Sequence, residues 1–227
     1  MKEVVNNISG REFRVFLQDR AKHLLLQPVD EHSATKLPQE VELIRKQVHQ
    51  PFTLAAFMIA DWNRDLTPWT APPAFGNTPF GDGANDTLAF IASELLPHLQ
   101  SIGIDAPHKV LGGYSLAGLF ALWASYQTDV FDSVVAASPS VWYPNWVDYA
   151  TRSTTLATDV YLSLGDKEAK TKNQLMSQVD TSILKQHDSL ISQGVNTTLQ
   201  WNQGNHFMDV EKRMAKGLAW AINNSSQ

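Results

Sequence analysis

Apolar residues occur along the chain in short dense runs that alternate with segments of helical periodicity. Residues 11–18 alternate between apolar and polar positions, which is typical of a strand with one exposed face. Denser apolar runs of strand length predict further strands at residues 23–29, 52–60, 108–112, 131–137, 159–165 and 197–202. Helices are predicted at residues 38–49, 86–101, 116–127, 173–193 and 208–222. This alternation predicts an α/β fold whose mainly parallel sheet is covered by helices on both faces.

The chain of 227 residues contains no internal repeat, no low-complexity stretch and no linker that would divide it. We therefore expect a single domain over residues 1–227. No stretch between the predicted strands has spare helices, so we expect no large cap domain. In a parallel sheet of this kind the ligand site lies at the carboxyl ends of the strands, so reactive side chains should directly follow a strand.

Composition narrows the class of function. The net charge of −5 and the lack of a basic stripe argue against nucleic acid or an anionic membrane surface as a partner. The chain has no cysteine, which excludes disulfides and thiol chemistry. No apolar run approaches the roughly 20 residues of a membrane span. The N-terminal residues lack the long apolar run of a signal peptide, so we expect a cytoplasmic protein.

One short stretch, KVLGGYSLAGLF at residues 109–120, joins a predicted strand directly to a predicted helix, with Ser115 at the join. The positions two residues either side, Gly113 and Ala117, are small, as such a tight turn requires. The turn exposes the serine hydroxyl and points the amide of Leu116 into the same space. The alternative is a glycine-rich turn with an incidental serine. A phosphate-binding loop is disfavoured because its lysine is missing.

A serine nucleophile needs a base, and the base needs an orienting acid. In this kind of fold the acid and then the histidine follow the serine along the chain. The histidines after Ser115 are His187 and His206. His187 falls within a predicted helix, whereas His206 follows the last predicted strand and precedes the last helix. That position suits a general base.

The acid should follow the strand at residues 159–165, where Asp166 and Glu168 are available. Counting from Gly165, which closes the strand, favours Glu168. A tighter turn would use Asp166 instead, so both acids stay open. Serine, acid and histidine occur in the right order and each at a strand end, which predicts a catalytic triad.

Five segments together resemble the putative-esterase family of α/β-hydrolases, which includes enterochelin-type siderophore esterases, feruloyl esterases and S-formylglutathione hydrolases. The segments are ADWNRDLTPW at residues 60–69, GGYSLAGLFALWAS at 112–125, ASPSVWY at 137–143, LSLGDKE at 162–168 and GNHF at 204–207. The resemblance covers most of the chain. It implies an α/β-hydrolase fold and a serine esterase that works through an acyl-enzyme, without a metal or an organic cofactor.

The resemblance also bears on the oxyanion hole. In the family, the strand that corresponds to residues 23–29 ends in Asp-Gly, and the residue after the glycine donates a second amide beside that of Leu116. Here Asp30 is present, but Glu31 replaces the glycine. The His32 amide is therefore the candidate second donor, and a solvated polar turn is the alternative. No HExxH motif or paired histidines accompany this stretch, so we expect no metal site.

Residues 61–85 are rich in Pro, Gly and Trp and lack periodicity, and loops of this length are usually functional. We expect this segment to wall the site together with Trp142 and its aromatic neighbours. The candidate substrate-binding residues are Trp62, Arg64, Tyr114 and Trp142. Arg64 would bind an acidic group of a ligand, or would instead form a salt bridge with Asp65.

The expected partner is a small-molecule ester, either small or siderophore-like. Two other functions stay open: an acyltransferase of the same fold, and a non-catalytic α/β-hydrolase fold that binds a ligand. The presence of serine, acid and histidine argues against the second. The sequence decides neither the natural substrate nor the choice between a monomer and a homodimer.

Overall fold

The computed structural model describes residues 1–225, and within them eight strands form one sheet. The strands are β1 (Lys2–Ile8), β2 (Arg11–Leu17), β3 (His23–Val29), β4 (Phe52–Met58), β5 (His108–Tyr114), β6 (Ser133–Ala137), β7 (Asp159–Gly165) and β8 (Asn196–Asn202). Their order across the sheet is β1-β2-β4-β3-β5-β6-β7-β8. The pairs β1–β2 and β2–β4 are antiparallel, and every pair from β4–β3 to β7–β8 is parallel.

In the same described range, nine α-helices connect and cover the strands. They are α1 (Glu31–Ala34), α2 (Leu37–Arg45), α3 (Trp62–Asp65), α4 (Ala84–Phe90), α5 (Leu96–Ser101), α6 (Leu116–Ala124), α7 (Trp146–Arg152), α8 (Val179–Ser192) and α9 (Val210–Asn224). A π-helical turn at Ile91–Leu95 joins α4 to α5. None of the helices in this part of the chain has the length and apolar character that a membrane crossing requires.

Successive side chains of a strand point to opposite faces of the sheet, and two hydrophobic cores result. On one face Leu25 of β3 and Val135 of β6 pack with α2 and α9. On the other face Leu26 of β3 and Leu162 of β7 pack with α4, α5, α6 and α8. Because the central strands are buried on both faces, they are continuous apolar runs in the sequence. The predicted α/β class, with a mainly parallel sheet and helices on both faces, is confirmed, and residues 1–225 contain no large cap.

Several elements differ from the sequence-based prediction. β1 is not predicted, because its side chains are mostly exposed on both faces and leave no apolar pattern. The short helices α1, α3 and α7 are not predicted either, since four to seven residues are too few to establish a helical period. The helix predicted from residue 173 begins at Val179, after a single 3₁₀ turn at Met176–Gln178. Most other ends agree within two or three residues.

The segment at residues 61–85 is ordered by its own contacts. It begins with α3, and the main chains of Ala71 and Phe80 pair as an isolated antiparallel bridge. The rings of Phe75 and Phe80 pack against each other and against Trp142, which follows β6. The aromatic residues of this segment thus form a small core that fixes the loop beside the carboxyl ends of the strands.

Candidate active site

Ser115 lies between the last residue of β5 and the first residue of α6, where the backbone turns sharply. Its φ of 58° and ψ of −121° place it in a strained region that side chains rarely adopt. Gly113 is required on one side, because a Cβ there would lie 2.2 Å from the carbonyl carbon of Ala117. The strain lifts the hydroxyl of Ser115 away from the backbone at the carboxyl end of the sheet.

Two loops bring a histidine and a carboxylate to this serine. His206 follows β8, and its Nε2 lies 3.1 Å from Oγ of Ser115. Glu168 follows β7, and its Oε2 lies 2.7 Å from Nδ1 of His206. A carboxylate only accepts hydrogen bonds, so Nδ1 carries the proton and Nε2 presents a lone pair to the serine hydroxyl. The three side chains form a continuous hydrogen-bonded relay.

Asp166, the alternative acid, takes a different position. Its Oδ1 accepts a hydrogen bond from the backbone N–H of Gly204 at 2.7 Å. The side chain therefore ties the loop after β7 to the loop that carries His206. Gly165 allows the same two loops to meet, because a Cβ there would lie 2.4 Å from the carbonyl oxygen of Gly204. Of the two acids, Glu168 is the one in contact with the imidazole.

Sequence reasoning missed Arg213, a buried side chain of α9 that is 1% exposed. Its Nη1 donates to Oε1 of Glu168 at 2.8 Å, and its Nη2 donates to the carbonyl oxygens of Gln203 at 3.2 Å and Asn205 at 2.9 Å. One guanidinium thus holds both the acid and the loop of His206. In the sequence Arg213 is simply a charge in an amphipathic helix, although it stands next to the apolar Met214.

Further donors surround Glu168. Ser138 Oγ donates to Oε1 at 2.7 Å, and the N–H of Gly165 donates to the same oxygen at 2.8 Å. Burial would raise the pKa of Glu168, but the hydrogen bond and charge of His206 and the bonds from Ser138 and Gly165 outweigh it and lower the pKa below its ordinary value. Glu168 is therefore an anion that faces the imidazole.

Tyr114, the last residue of β5, fixes the loop of His206 from the other side. Its hydroxyl donates to the carbonyl oxygen of His206 at 2.7 Å, and Nη1 of Arg213 lies 3.2 Å from that hydroxyl. Burial raises the pKa of Tyr114 to about 12, so the phenol stays protonated and donates. The imidazole and phenol rings also pack against each other, with 5.2 Å between centroids.

The two backbone amides that the sequence analysis singled out, those of Leu116 and His32, lie at the beginnings of α6 and α1. Leu116 begins α6, and the first N–H groups of a helix have no partner within the helix. Within α1, the N–H of Ser33 is bonded to the carboxylate of Asp30, and the N–H of Ala34 to its carbonyl. The amide of His32 has no such partner within this turn. Asp30, which the sequence identified as the end of the strand, thus caps a short helix.

The serine opens into a cavity of about 430 Å³. The residues that line it are Gln27, Pro28, Asp30, His32, Ser33, Lys36, Glu40, Trp62, Tyr114, Ser115, His206, Phe207, Asp209, Val210, Glu211 and Met214. Of the predicted substrate-binding residues, Trp62 and Tyr114 line this cavity together with Ser115, His206 and His32. The walls come from the end of β3, from α1 and α2, and from the start of α9.

Arg64 and Trp142, the other two predicted substrate-binding residues, are placed elsewhere and do not line the cavity. Arg64 forms salt bridges of 3.6 Å with the buried Asp65 and with the exposed Asp86, so its charge already has partners. Trp142 is 7% exposed and packs with the aromatic residues of the 61–85 segment. Both side chains are thus used in the packing and charge pairing of the loop, and their part in binding a ligand stays a prediction.

Comparisons with known proteins agree with this architecture. A family model described as Putative esterase matches residues 51–217. None of the curated proteins compared with the chain matches it.

Among solved structures, siderophore hydrolase EstA from Aspergillus nidulans superposes with a TM-score of 0.71 at 19% identity, over 99% of this chain and 94% of that one. An IroE-like serine hydrolase from Shewanella oneidensis gives a TM-score of 0.76 at 17% identity, over 98% of this chain and 79% of that one. Enterobactin esterase FES from Shigella flexneri gives 0.71 at 17% identity, over 98% of this chain and 59% of that one. At these identities the likeness establishes the shared fold.

Proposed function

The chain belongs to the Putative esterase family and is an ester-hydrolysing enzyme, and we propose that Ser115, His206 and Glu168 are its catalytic triad. The observation that carries the proposal is the unbroken relay from Oγ of Ser115 through the imidazole to the buried carboxylate, with distances of 3.1 and 2.7 Å. Geometry of this kind activates a hydroxyl that is otherwise a weak nucleophile.

The reaction follows from the positions of these atoms. His206 Nε2 removes the proton of Ser115 as Oγ attacks the ester carbonyl, and a tetrahedral intermediate forms. Glu168 stabilises the imidazolium, which then gives its proton to the departing alcohol. Water, deprotonated by the same imidazole, attacks the acyl-enzyme. The bond between the acyl carbon and Oγ then breaks, the carboxylic acid leaves, and the imidazolium returns its proton to Oγ of Ser115. His206 and Ser115 thus end the cycle in the protonation states in which they began it.

The negative oxygen of the tetrahedral intermediate needs donors. The amide of Leu116 at the start of α6 is the first proposed donor, and the amide of His32 in α1 is the second. Removal of one donor of this kind typically lowers the rate by about 10²–10³-fold. The position of His32 on the wall of the cavity that holds Ser115 supports the second assignment.

The substrate we propose is a carboxylic ester of a small or siderophore-like molecule. Hydrolases of siderophores and of enterobactin share the fold. A cavity of about 430 Å³ is large enough for part of such a molecule. An acyltransferase reaction, in which a second alcohol replaces water, uses the same groups and is read out by adding alcohols and analysing the products.

Fluorophosphonate labelling tests the nucleophile directly. We expect the probe to modify Ser115, as located by peptide mass spectrometry, and we expect no labelling of Ser115→Ala and almost none of His206→Ala. The matched controls are Ser192→Ala and His187→Ala, both on α8 and outside the cavity. These should label as the unchanged protein does.

Either of two results would overturn the proposal. The first is a folded protein that does not react with the probe at all. The second is a modification at another residue that persists in Ser115→Ala. Circular dichroism of each variant establishes that the loss of labelling does not come from loss of the fold.

A further inference from the structure

The cavity beside Ser115 runs from an open rim to a buried end. At the rim, Phe207 is 85% exposed. At the other extreme Gln27 of β3, Glu40 of α2 and Met214 of α9 are 5%, 4% and 1% exposed. We call these three residues the buried end of the cavity. The triad does not use Gln27 or Glu40.

Two acceptors at the buried end have no partner. Oε1 of Glu40 and Oε1 of Gln27 are both buried, and neither makes a hydrogen bond within the part of the chain that the structure describes. Buried polar atoms in proteins are almost always hydrogen-bonded, to protein, water or ligand. Two such oxygens on adjoining elements of one cavity therefore indicate a place for a donor: the carboxyl proton of Glu40 when the cavity is empty, and a donor of the ligand that replaces this proton when the cavity is occupied.

The charges of the cavity wall indicate what kind of donor fits. Four carboxyl groups line the cavity, those of Asp30, Glu40, Asp209 and Glu211, against one ammonium group, that of Lys36. Asp209 is paired with Lys212, and Asp30 caps α1. Glu40 and Glu211 have no salt-bridge partner among the described residues. A cation is the complementary occupant.

We infer that the buried end binds a primary ammonium group of the ester substrate, with Glu40 and Gln27 as its acceptors. The inference rests on the proposed esterase function and specifies its substrate class: an ester that carries an amine at a distance from the reacting carbonyl. An ammonium group has three N–H donors and one positive charge, which satisfy both free oxygens and compensate the carboxyl groups.

The electrostatics of Glu40 agree with this assignment. Burial raises its pKa to about 8, the contact with Gln27 lowers it, and the charge of Glu211 raises it further. In the free enzyme the carboxyl is therefore mainly protonated at neutral pH. When an ammonium group binds, the carboxyl O–H bond breaks, the proton passes to the buffer, and the new pair consists of carboxylate and ammonium.

Matched esters test the inference. The first series of probes varies the acyl group: p-nitrophenyl ω-aminohexanoate, its isosteric partner p-nitrophenyl heptanoate, and p-nitrophenyl ω-hydroxyhexanoate. The second series consists of acetate esters of alcohols with the same terminal groups, so that the ammonium group lies on the leaving alcohol. We expect kcat/KM to favour the ammonium ester by about tenfold or more in one of the two series. In Glu40→Gln that ratio should fall by about tenfold, whereas Glu42→Gln, an exposed position on the same helix, should keep it.

The outcomes separate this inference from the proposed function. Hydrolysis of heptanoate with no preference for ammonium in either series, or a preference that survives in Glu40→Gln, overturns the buried-end assignment alone. An equal rate with the hydroxy ester overturns the choice of a cation. If no ester is turned over at all, the proposed function fails as well.

Binding to Ser115→Ala provides a second readout that does not depend on turnover. Calorimetry with the intact ammonium ester should give a dissociation constant about tenfold lower than that of heptanoate. The heat at neutral pH should also vary with the ionisation enthalpy of the buffer, because a proton is released. The double variant Ser115→Ala with Glu40→Gln should lose both effects, and their persistence would contradict the inference.

Discussion

Two glutamates of this protein have buried side chains, yet the surroundings of these side chains differ. The side chain of Glu168 is 4% exposed, and Glu40 as a whole residue is 4% exposed. Glu168 accepts hydrogen bonds from His206, Arg213, Ser138 and the N–H of Gly165. Oε1 of Glu40 accepts none within the described residues. The pKa of Glu168 is lowered, whereas the pKa of Glu40 is raised to about 8.

The difference shows that burial alone does not define the role of a carboxyl group. A carboxylate whose oxygens are all occupied is held in one orientation, which is what an imidazole partner requires. A carboxyl group with a free oxygen in a cavity retains the capacity to bind something else. The first arrangement suits a positioning role within the protein, and the second suits recognition of a ligand.

The largest expected effect comes from a substitution of Glu168, the carboxylate whose two oxygens both accept hydrogen bonds. Glu168→Gln should lower kcat for ester hydrolysis by about 10³–10⁴-fold, because an amide no longer stabilises the imidazolium or selects the correct tautomer of His206. Steady-state kinetics with a p-nitrophenyl ester checks this. Asp166→Asn is the control and should remain within about tenfold of the unchanged enzyme; the reverse ranking of the two variants would assign the acid to Asp166.

The next effect concerns Arg213, which balances the charge of Glu168. Arg213→Met should lower the free energy of unfolding by about 3–5 kcal/mol, because it removes the guanidinium that balances the buried carboxylate of Glu168 and leaves the carbonyl groups of Gln203 and Asn205 without this donor. Urea unfolding measures this loss, and kcat should fall as the loop of His206 loosens.

Two further variants make that result specific. Arg213→Lys retains the charge but not the forked geometry, so it should recover part of the stability and less of kcat. Arg152→Met, at the exposed end of α7, should change the free energy of unfolding by less than about 0.5 kcal/mol. If Arg213→Met were as stable as Arg152→Met, the guanidinium would not hold the triad.

The smallest of the three effects is the pH dependence of the free energy of unfolding, to which Glu40 and Glu168 contribute with opposite signs. Because the folded pKa of Glu40 is about 8 and the ordinary value is 4.5, the folded state binds more protons between these values. The free energy of unfolding should therefore fall as pH rises from about 5 to 8, by at most about 4 kcal/mol. Glu40→Gln should remove this slope, as measured by urea unfolding at a series of pH values.

Glu168 gives the opposite sign in the same experiment. Its lowered pKa stabilises the folded state above the ordinary carboxyl pKa, and that contribution is lost as pH falls through the folded value. Glu168→Gln should therefore flatten the acid side of the profile. Glu42→Gln, exposed on α2, should change neither side. A Glu40→Gln profile identical to that of the unchanged protein would remove the distinction between the two glutamates.

Much of the fold was predictable because its information is local. Strands β3, β5 and β7 are buried on both faces, so each is a dense apolar run at the correct place. β1 has almost no buried side chains and is held by its backbone pairing with β2. Such pairing leaves no pattern of apolar residues in the sequence from which the strand could be predicted. α7 has only seven residues, which is too few to establish a helical period in the sequence.

In the candidate site, too, the residues marked by local signals were predictable and those defined by contacts across the fold were not. Ser115 and His206 were identified because the turn and the order along the chain are local signals. Glu168 and Asp166 follow the same strand, and only contacts across the fold distinguish them. For Arg64 the sequence left open an acidic group of a ligand or a salt bridge with Asp65. The salt bridge with Asp65 is present in the structure, and the second partner, Asp86, lies in another element and was not predictable from local sequence.

The claim that Ser115 is acylated can be tested by rapid acid quench of the enzyme during turnover of p-nitrophenyl acetate, followed by peptide mass spectrometry. The account predicts an acetyl group on the peptide that contains Ser115, absent in Ser115→Ala, together with loss of hydrolysis in that variant. An acetyl group on a different residue, or hydrolysis that is undiminished in Ser115→Ala, would contradict it.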